Sequence, residues 1–111
     1  YITALKNRGE NIRVSNNSWG GYRNLAAPFP QLLKDAIDAA GNAGIINVFA
    51  AGNGGLDGRG DDIDVMPHDP ASFTSPSIVS VAASTSNDGR ASFSNFGAVS
   101  VDLAAPGVDI L

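Results

Sequence analysis

The chain has 111 residues, 43% of them apolar, with 13 glycines and no cysteine; that is enough for one domain with a packed core and too few for two. The net charge is −4, with five of the eleven acidic residues falling between Asp57 and Asp69, and no Lys/Arg cluster exceeds a pair, which argues against a nucleic-acid surface. Without cysteine there are no disulfides, thiolate metal sites or cysteine nucleophiles, and no apolar run approaches membrane-spanning length.

Tyr1 to Arg8 reads as the last turns of a helix, closed by Gly9 and Asn11. Ile12 to Asn17 is short and carries β-branched residues, so it reads as a strand leading into the loop Ser18-Trp19-Gly20-Gly21. A helix is predicted from about Pro30 to Ala43. There Leu33, Ile37 and Ala40 fall at i, i+4 and i+7, Leu32, Ala36 and Ala39 widen the apolar face, and Gln31, Lys34, Asp35 and Asp38 lie opposite. Ile45 to Ala51 is a nearly continuous apolar run, the pattern of a strand buried on both faces of a parallel sheet. Strand, helix and strand form a βαβ unit with an expected right-handed crossover.

Gly52 to Asp69 reads as a loop rich in Gly and Asp, and Ile78 to Ala83 as a second buried strand. After the turn Asn87-Asp88-Gly89, short segments are expected at Ala91 to Phe93 and Val99 to Ala104. The predicted architecture is α/β, a mainly parallel sheet with helices on its faces, in a single domain over residues 1–111. Ligands of such sheets bind beyond the carboxyl ends of the strands. Two loops leave those ends, Ser18 to Gly21 and Gly52 to Gly55.

Asn53 stands where a buried strand ends, between Gly52 and the pair Gly54-Gly55, so a backbone can come close to a ligand. Its amide offers two donors without a charge, which suits an oxygen that becomes negative only during reaction. On position alone a second reading stands beside this one, that Asn53 fills a left-handed turn position. Asp57, Asp61, Asp62 and Asp64 have the oxygen chemistry for structural Ca²⁺. Their spacing does not fit an EF-hand, and a solvated acidic loop is the plainer reading.

Three segments in order resemble the subtilisin-like serine proteases, the subtilases. Val48-Phe49-Ala50-Ala51-Gly52-Asn53 is similar to the strand ending in their oxyanion-hole asparagine. Asn17-Ser18-Trp19-Gly20-Gly21 resembles the strand end that forms one wall of their substrate cleft. The run from Arg90 to Gly97 and the run from Asp102 to Val108 look like the stretch leading towards their nucleophile. The resemblance implies a partial subtilisin-like fold in which Asn53 donates to the tetrahedral oxyanion. Ser18, Trp19 and Gly20 would offer a backbone edge to an extended peptide or protein substrate, and Ala50, Ala51 and Gly52 would form the opposite wall. Trp19 has an equal reading as a core or rim aromatic.

The resemblance also implies what is absent. The family's D-[ST]-G, H-G-T-H and G-T-S-M-A motifs do not occur, and the only histidine, His68, matches none of their positions. The chain therefore reads as an internal segment of a catalytic domain whose N- and C-terminal parts are its partners, inactive alone and needing no cofactor for chemistry. The competing reading is a catalytically dead subtilase-like module that binds peptide or serves a structural role. Pro70 aligns with a family proline that follows a cis peptide bond. An extracellular or cell-surface site is implied by the resemblance only.

Overall fold

In the computed structural model, which describes residues 1–110, the chain passes through α1 (Ile2–Asn7), β1 (Val14–Asn17), β2 (Gly21–Tyr22), α2 (Gln31–Asn42), β3 (Ile46–Ala50), β4 (His68–Asp69), β5 (Ile78–Ser84) and β6 (Leu103–Pro106). The main sheet has the order β1-β3-β5-β6 and every neighbouring pair is parallel. β1, α2 and β3 form the expected βαβ unit, and the α/β class is as the sequence predicts. Two elements differ from expectation. The loop after Gly52 contains β4, which pairs antiparallel with β2 in a separate ribbon, Gly21 with Asp69 and Tyr22 with His68. Ala91 to Phe93 forms no strand, and the last strand begins at Leu103, not at Val99.

α2 lays Ile37 and Ala40 against the sheet, with Leu33 packed beside them. Its apolar stripe is narrower than the sequence suggests: Leu32 is 86% exposed, and Ala36 and Ala39 are also exposed. The helix ends at Gly44, whose φ of +84° an L side chain resists, and the chain returns directly to β3. The core beneath α2 gathers Ile37, Phe49, Ala51, Ile63, Ala71 and Phe73. Phe49 anchors it at 1% exposure, and burial of such a ring contributes about 1.5–3 kcal/mol. Asn47, also buried, accepts from the Ser15 hydroxyl at 2.9 Å and donates to the Ile45 carbonyl at 3.3 Å, so its amide is satisfied inside the core.

The expectation that Ile45 to Ala51 is buried on both faces is corrected. Residues alternate across the sheet: Asn47 and Phe49 of β3 and Ser80 and Ala82 of β5 are buried on the α2 side, while Ile46 and Ala50 are exposed, as are Val14 of β1 and Leu103 of β6. One face of the sheet is covered and the other is open.

The β2–β4 ribbon is pinned from the loop that follows β2. The Arg23 guanidinium bonds both oxygens of Asp69, Nε at 2.7 Å, and lies 4.9 Å from the Phe29 ring centre. Asp69 joins Pro70 through a cis peptide bond, as the alignment of Pro70 suggests. His68 meets Tyr22 edge-on at 5.2 Å and is half-buried, with no partner for Nδ1 among the described residues. Burial pushes the His68 pKa below its ordinary value, against an opposing pull from Asp69.

Two predictions follow from this packing. With one apolar sheet face bare, the isolated chain should bind an apolar dye and melt over a broad range; a single sharp calorimetric transition would refute this. A histidine whose folded pKa is depressed binds its proton more readily when unfolded, so its contribution is complete above about pH 6.5 and is lost as pH falls below that value. The melting temperature of the full-length protein should therefore fall between about pH 7 and pH 5, and His68→Gln should flatten that fall. An unchanged slope in the variant would remove His68 from the pH response.

Candidate active site

β1 and β3 run parallel, so their carboxyl ends lie on the same side of the sheet, and the loops leaving them are neighbours. The Asn17 amide ties the two strand ends together by donating to the Val48 carbonyl at 3.2 Å. Ser18, Ala50, Gly52 and Asn53 line one groove of about 660 Å³, which continues over the open face past Val48, Val81 and Leu103. The structure thus brings together four of the residues singled out in the sequence.

The remaining three lie differently. Trp19 is 50% exposed and stands edge-on to Phe49 at 5.4 Å, a rim aromatic seated on the core. Gly20 is exposed and packs over the His68 ring. Ala51 is 1% exposed and belongs to the core cluster, so it presents no side chain to the groove.

Asn53 is exposed, and among the described residues its side-chain amide has no protein partner. The loop around it needs glycine for two reasons. Gly52 and Gly54 have φ of +104° and +77°. A Cβ on Gly52 would also sit 2.5 Å from the amide nitrogen of Asn95 and 2.9 Å from His68 Nε2, and one on Gly54 would overlap the Arg59 carbonyl. The backbone therefore passes close to its supports, and the one side chain of the Gly52–Gly55 loop is an uncharged double donor.

His68 lies behind both walls, against Gly20 and Gly52, and not in the groove. The hydroxyl that bonds His68 is Ser72 Oγ, which accepts from its backbone amide at 3.0 Å and not from its ring. The four acidic residues considered for calcium do not converge; among the described residues no group of three or more His, Cys, Asp or Glu gathers as a metal site. Each carboxylate accepts a hydrogen bond, two of them locally and two from distant segments. Asp57 accepts from the Arg59 amide, and Asp62 from the Asp64 amide, both at 3.0 Å. Asp61 accepts from the Tyr22 hydroxyl. Asp64 receives the Val99 and Ser100 amides at 2.9 and 2.8 Å, and hydrogen bonds from Ser100 and Val99 hold its pKa below the ordinary carboxylate value.

One residue of the site was not singled out as functional in the sequence. Asn95, fully buried, contacts the Asn53 loop on both sides of Asn53. Its only sequence signal is membership of the run from Arg90 to Gly97.

No helix among the described residues is long and apolar enough to cross a membrane. The sequence model of the subtilase family, Peptidase_S8, matches residues 1–110. Subtilisin-like protease 7 of Arthroderma otae is 44% identical over 105 residues, covering 95% of this chain and 22% of that protein. Alkaline protease 1 of Emericella nidulans is 42% identical over 106 residues, covering 96% and 22%. The chain thus spans about a fifth of the length of these relatives. Among solved structures, the epidermin leader peptide processing serine protease of Staphylococcus aureus superposes with a TM-score of 0.73 at 26% identity, covering 96% of this chain and 29% of that one. MycP1 with its N-terminal propeptide removed gives 0.71 at 26% identity, covering 96% and 38%. By sequence over almost its whole length and by fold, this chain belongs to the subtilase family.

Proposed function

We propose that the full-length protein is a serine endopeptidase and that this chain supplies its oxyanion-hole donor, Asn53, and the two walls of its substrate cleft. The observation that carries the reading is Asn53 itself, an exposed amide without a protein partner at the carboxyl end of β3, beside a groove shared by the β1 and β3 loops. When a serine attacks a peptide carbonyl, the oxygen gains a full negative charge. A donor fixed beforehand at that point stabilises the transition state more than the substrate, which is what accelerates the step.

Ser18 to Gly20 form one wall, exposed and outside the ladders of the sheet, with backbone groups free to pair with an extended peptide as an added strand. Ala50 and Gly52 form the other. Their small size leaves room for a bulky apolar side chain above Val48 and Val81. Ala51 contributes only its backbone, because its methyl group is in the core.

The nucleophile, its base and the orienting carboxylate would come from the rest of the same catalytic domain, since the family's three motifs for them do not occur in these residues. The open face of the sheet is the surface those parts would cover. An extracellular or cell-surface site belongs to the same proposal and rests on the resemblance alone.

The test is Asn53→Ala in the full-length protein, assayed on a chromogenic peptide. A loss of about 10²–10³ in kcat is the known effect of removing this donor in subtilisin itself, and the same size of loss is expected here with KM little changed. A variant with the parent's kcat would remove Asn53 from the chemistry. A parent that binds peptide without cleaving it would establish the catalytically dead module instead.

A further inference from the structure

Among the described residues Asn53 makes no bond that holds its own side chain in place, so its amide is aimed through its backbone. That backbone is Gly52-Asn53-Gly54-Gly55, the least restrained composition a chain offers. Regular pairing stops just before it: the last ladder bond on β3 runs from the Ala51 amide to the Val81 carbonyl, 2.9 Å. An oxyanion donor must nevertheless be in position before the charge develops.

Resting on the oxyanion reading above, we infer that Asn95 is the positioning residue for Asn53. Asn95 is 0% exposed and lies more than forty residues further along the chain, and it grips the loop on either side of Asn53. Upstream, its Nδ2 donates to the Ala51 carbonyl at 3.0 Å and its backbone amide to the Gly52 carbonyl at 2.9 Å. Downstream, its Oδ1 accepts the Gly54 amide at 2.8 Å and the Asp61 amide at 2.9 Å, which together use the two lone pairs of that oxygen well. The Tyr22 hydroxyl lies 3.4 Å from the same oxygen while bonding Asp61, which links the grip to the β2–β4 ribbon.

The residue type follows from this arrangement. The site needs an acceptor for two amides and a donor for a carbonyl, all in a dry place, and a carboxamide gives both without a charge on two separate atoms, as the contacts at Oδ1 and Nδ2 require. Aspartate keeps the acceptor and loses the donor; leucine keeps the volume and leaves three backbone groups unpaired. The close approach at Gly52 belongs to the same device, because any side chain there would push into the Asn95 amide nitrogen.

The experiment is a double-mutant cycle in the full-length protein, with Asn53→Ala, Asn95→Ala and the pair, measuring kcat and KM separately. A displacement of about 1 Å at a catalytic group costs on the order of 10²-fold, so Asn95→Ala should lower kcat by about that factor and change KM little. Placed on Asn53→Ala, the same substitution should cost less than about threefold more, since no donor remains to be misplaced. An equal loss in both backgrounds would overturn the proposal and make Asn95 a residue of general stability. If Asn53→Ala alone leaves kcat unchanged, the oxyanion reading fails and this proposal with it, whatever Asn95→Ala does. Should Asn95→Ala not fold, Asn95→Asp enters the same cycle with the same expected and refuting results.

Discussion

The site depends on the two hydrogen-bonded ladders that flank β3. Residues 46–49 pair with β1 and residues 47–50 pair with β5, so the central strand is held on both edges. Parallel pairing with slanted, evenly spaced bonds fixes how far β3 extends past its neighbours. That in turn fixes where the loop carrying Asn53 emerges relative to the β1 end. The Asn17 amide on the Val48 carbonyl reinforces the relation at the point where it matters. Behind the sheet, Asn47 and Phe49 lock the same strand to β1 and to the core under α2.

Beyond Ala51 the structure changes its means of support. On the proposed function this strand end admits a substrate backbone and cannot be crowded by side chains, and glycine at positions 52, 54 and 55 leaves that room. Glycine also lets the chain wander. The restraint comes from single contacts of long sequence separation: Asn95, and beside it the ribbon that carries His68 behind Gly20 and Gly52. The ribbon is short, two residues on each strand, and two-residue strands are marginal by themselves. The Arg23–Asp69 ion pair supplies what the ladder lacks. It is mostly shielded from water, with 21% and 10% of the side chains exposed, and its guanidinium also stacks against Phe29, so both members are oriented and not merely adjacent.

How much of this is legible in the sequence divides along physical lines. α2, β3 and β5 are visible because long periodic or continuous apolar segments announce themselves, and their bounds in the structure differ from the expected ones by at most one residue at either end. Asn53 is visible because a strand ending in glycines with one polar donor is a local pattern. β2 and β4 are invisible, since two residues carry no periodicity and their pairing joins positions almost fifty apart. Asn95 is hidden for the same reason: a buried asparagine looks like any polar residue until its partners arrive from Ala51, Gly54 and Asp61. The acidic loop shows a further limit of local pattern. Its four aspartates have the chemistry for a common ligand or for a solvated loop, and in the structure Asp57 and Asp62 accept from nearby backbone amides while Asp61 and Asp64 accept from Tyr22 and Val99, partners that no local spacing reveals.

The burial of β3 carries the last step. A run as apolar as Ile45 to Ala51 is the composition of a strand covered on both sides, and the observed alternation leaves Ile46 and Ala50 uncovered. Val14 of β1 adjoins Ile46, and Val81 of β5 links Ala50 to Leu103 of β6, so the apolar surface runs across the sheet and extends into the groove beside Asn53. On the proposed function, the elements that bring the nucleophile and its base pack on this face, and packing and catalysis share one surface. Hydrophobic closure of the sheet would then set the distance between a nucleophile on one layer and an oxyanion donor on the other. In that arrangement the donor side has to be rigid before the layers meet, because the covering layer cannot correct an error in it. A fully buried amide at position 95, bonded through both its oxygen and its nitrogen, meets that requirement at the edge of the core, where the small residues of the Asn53 loop cannot.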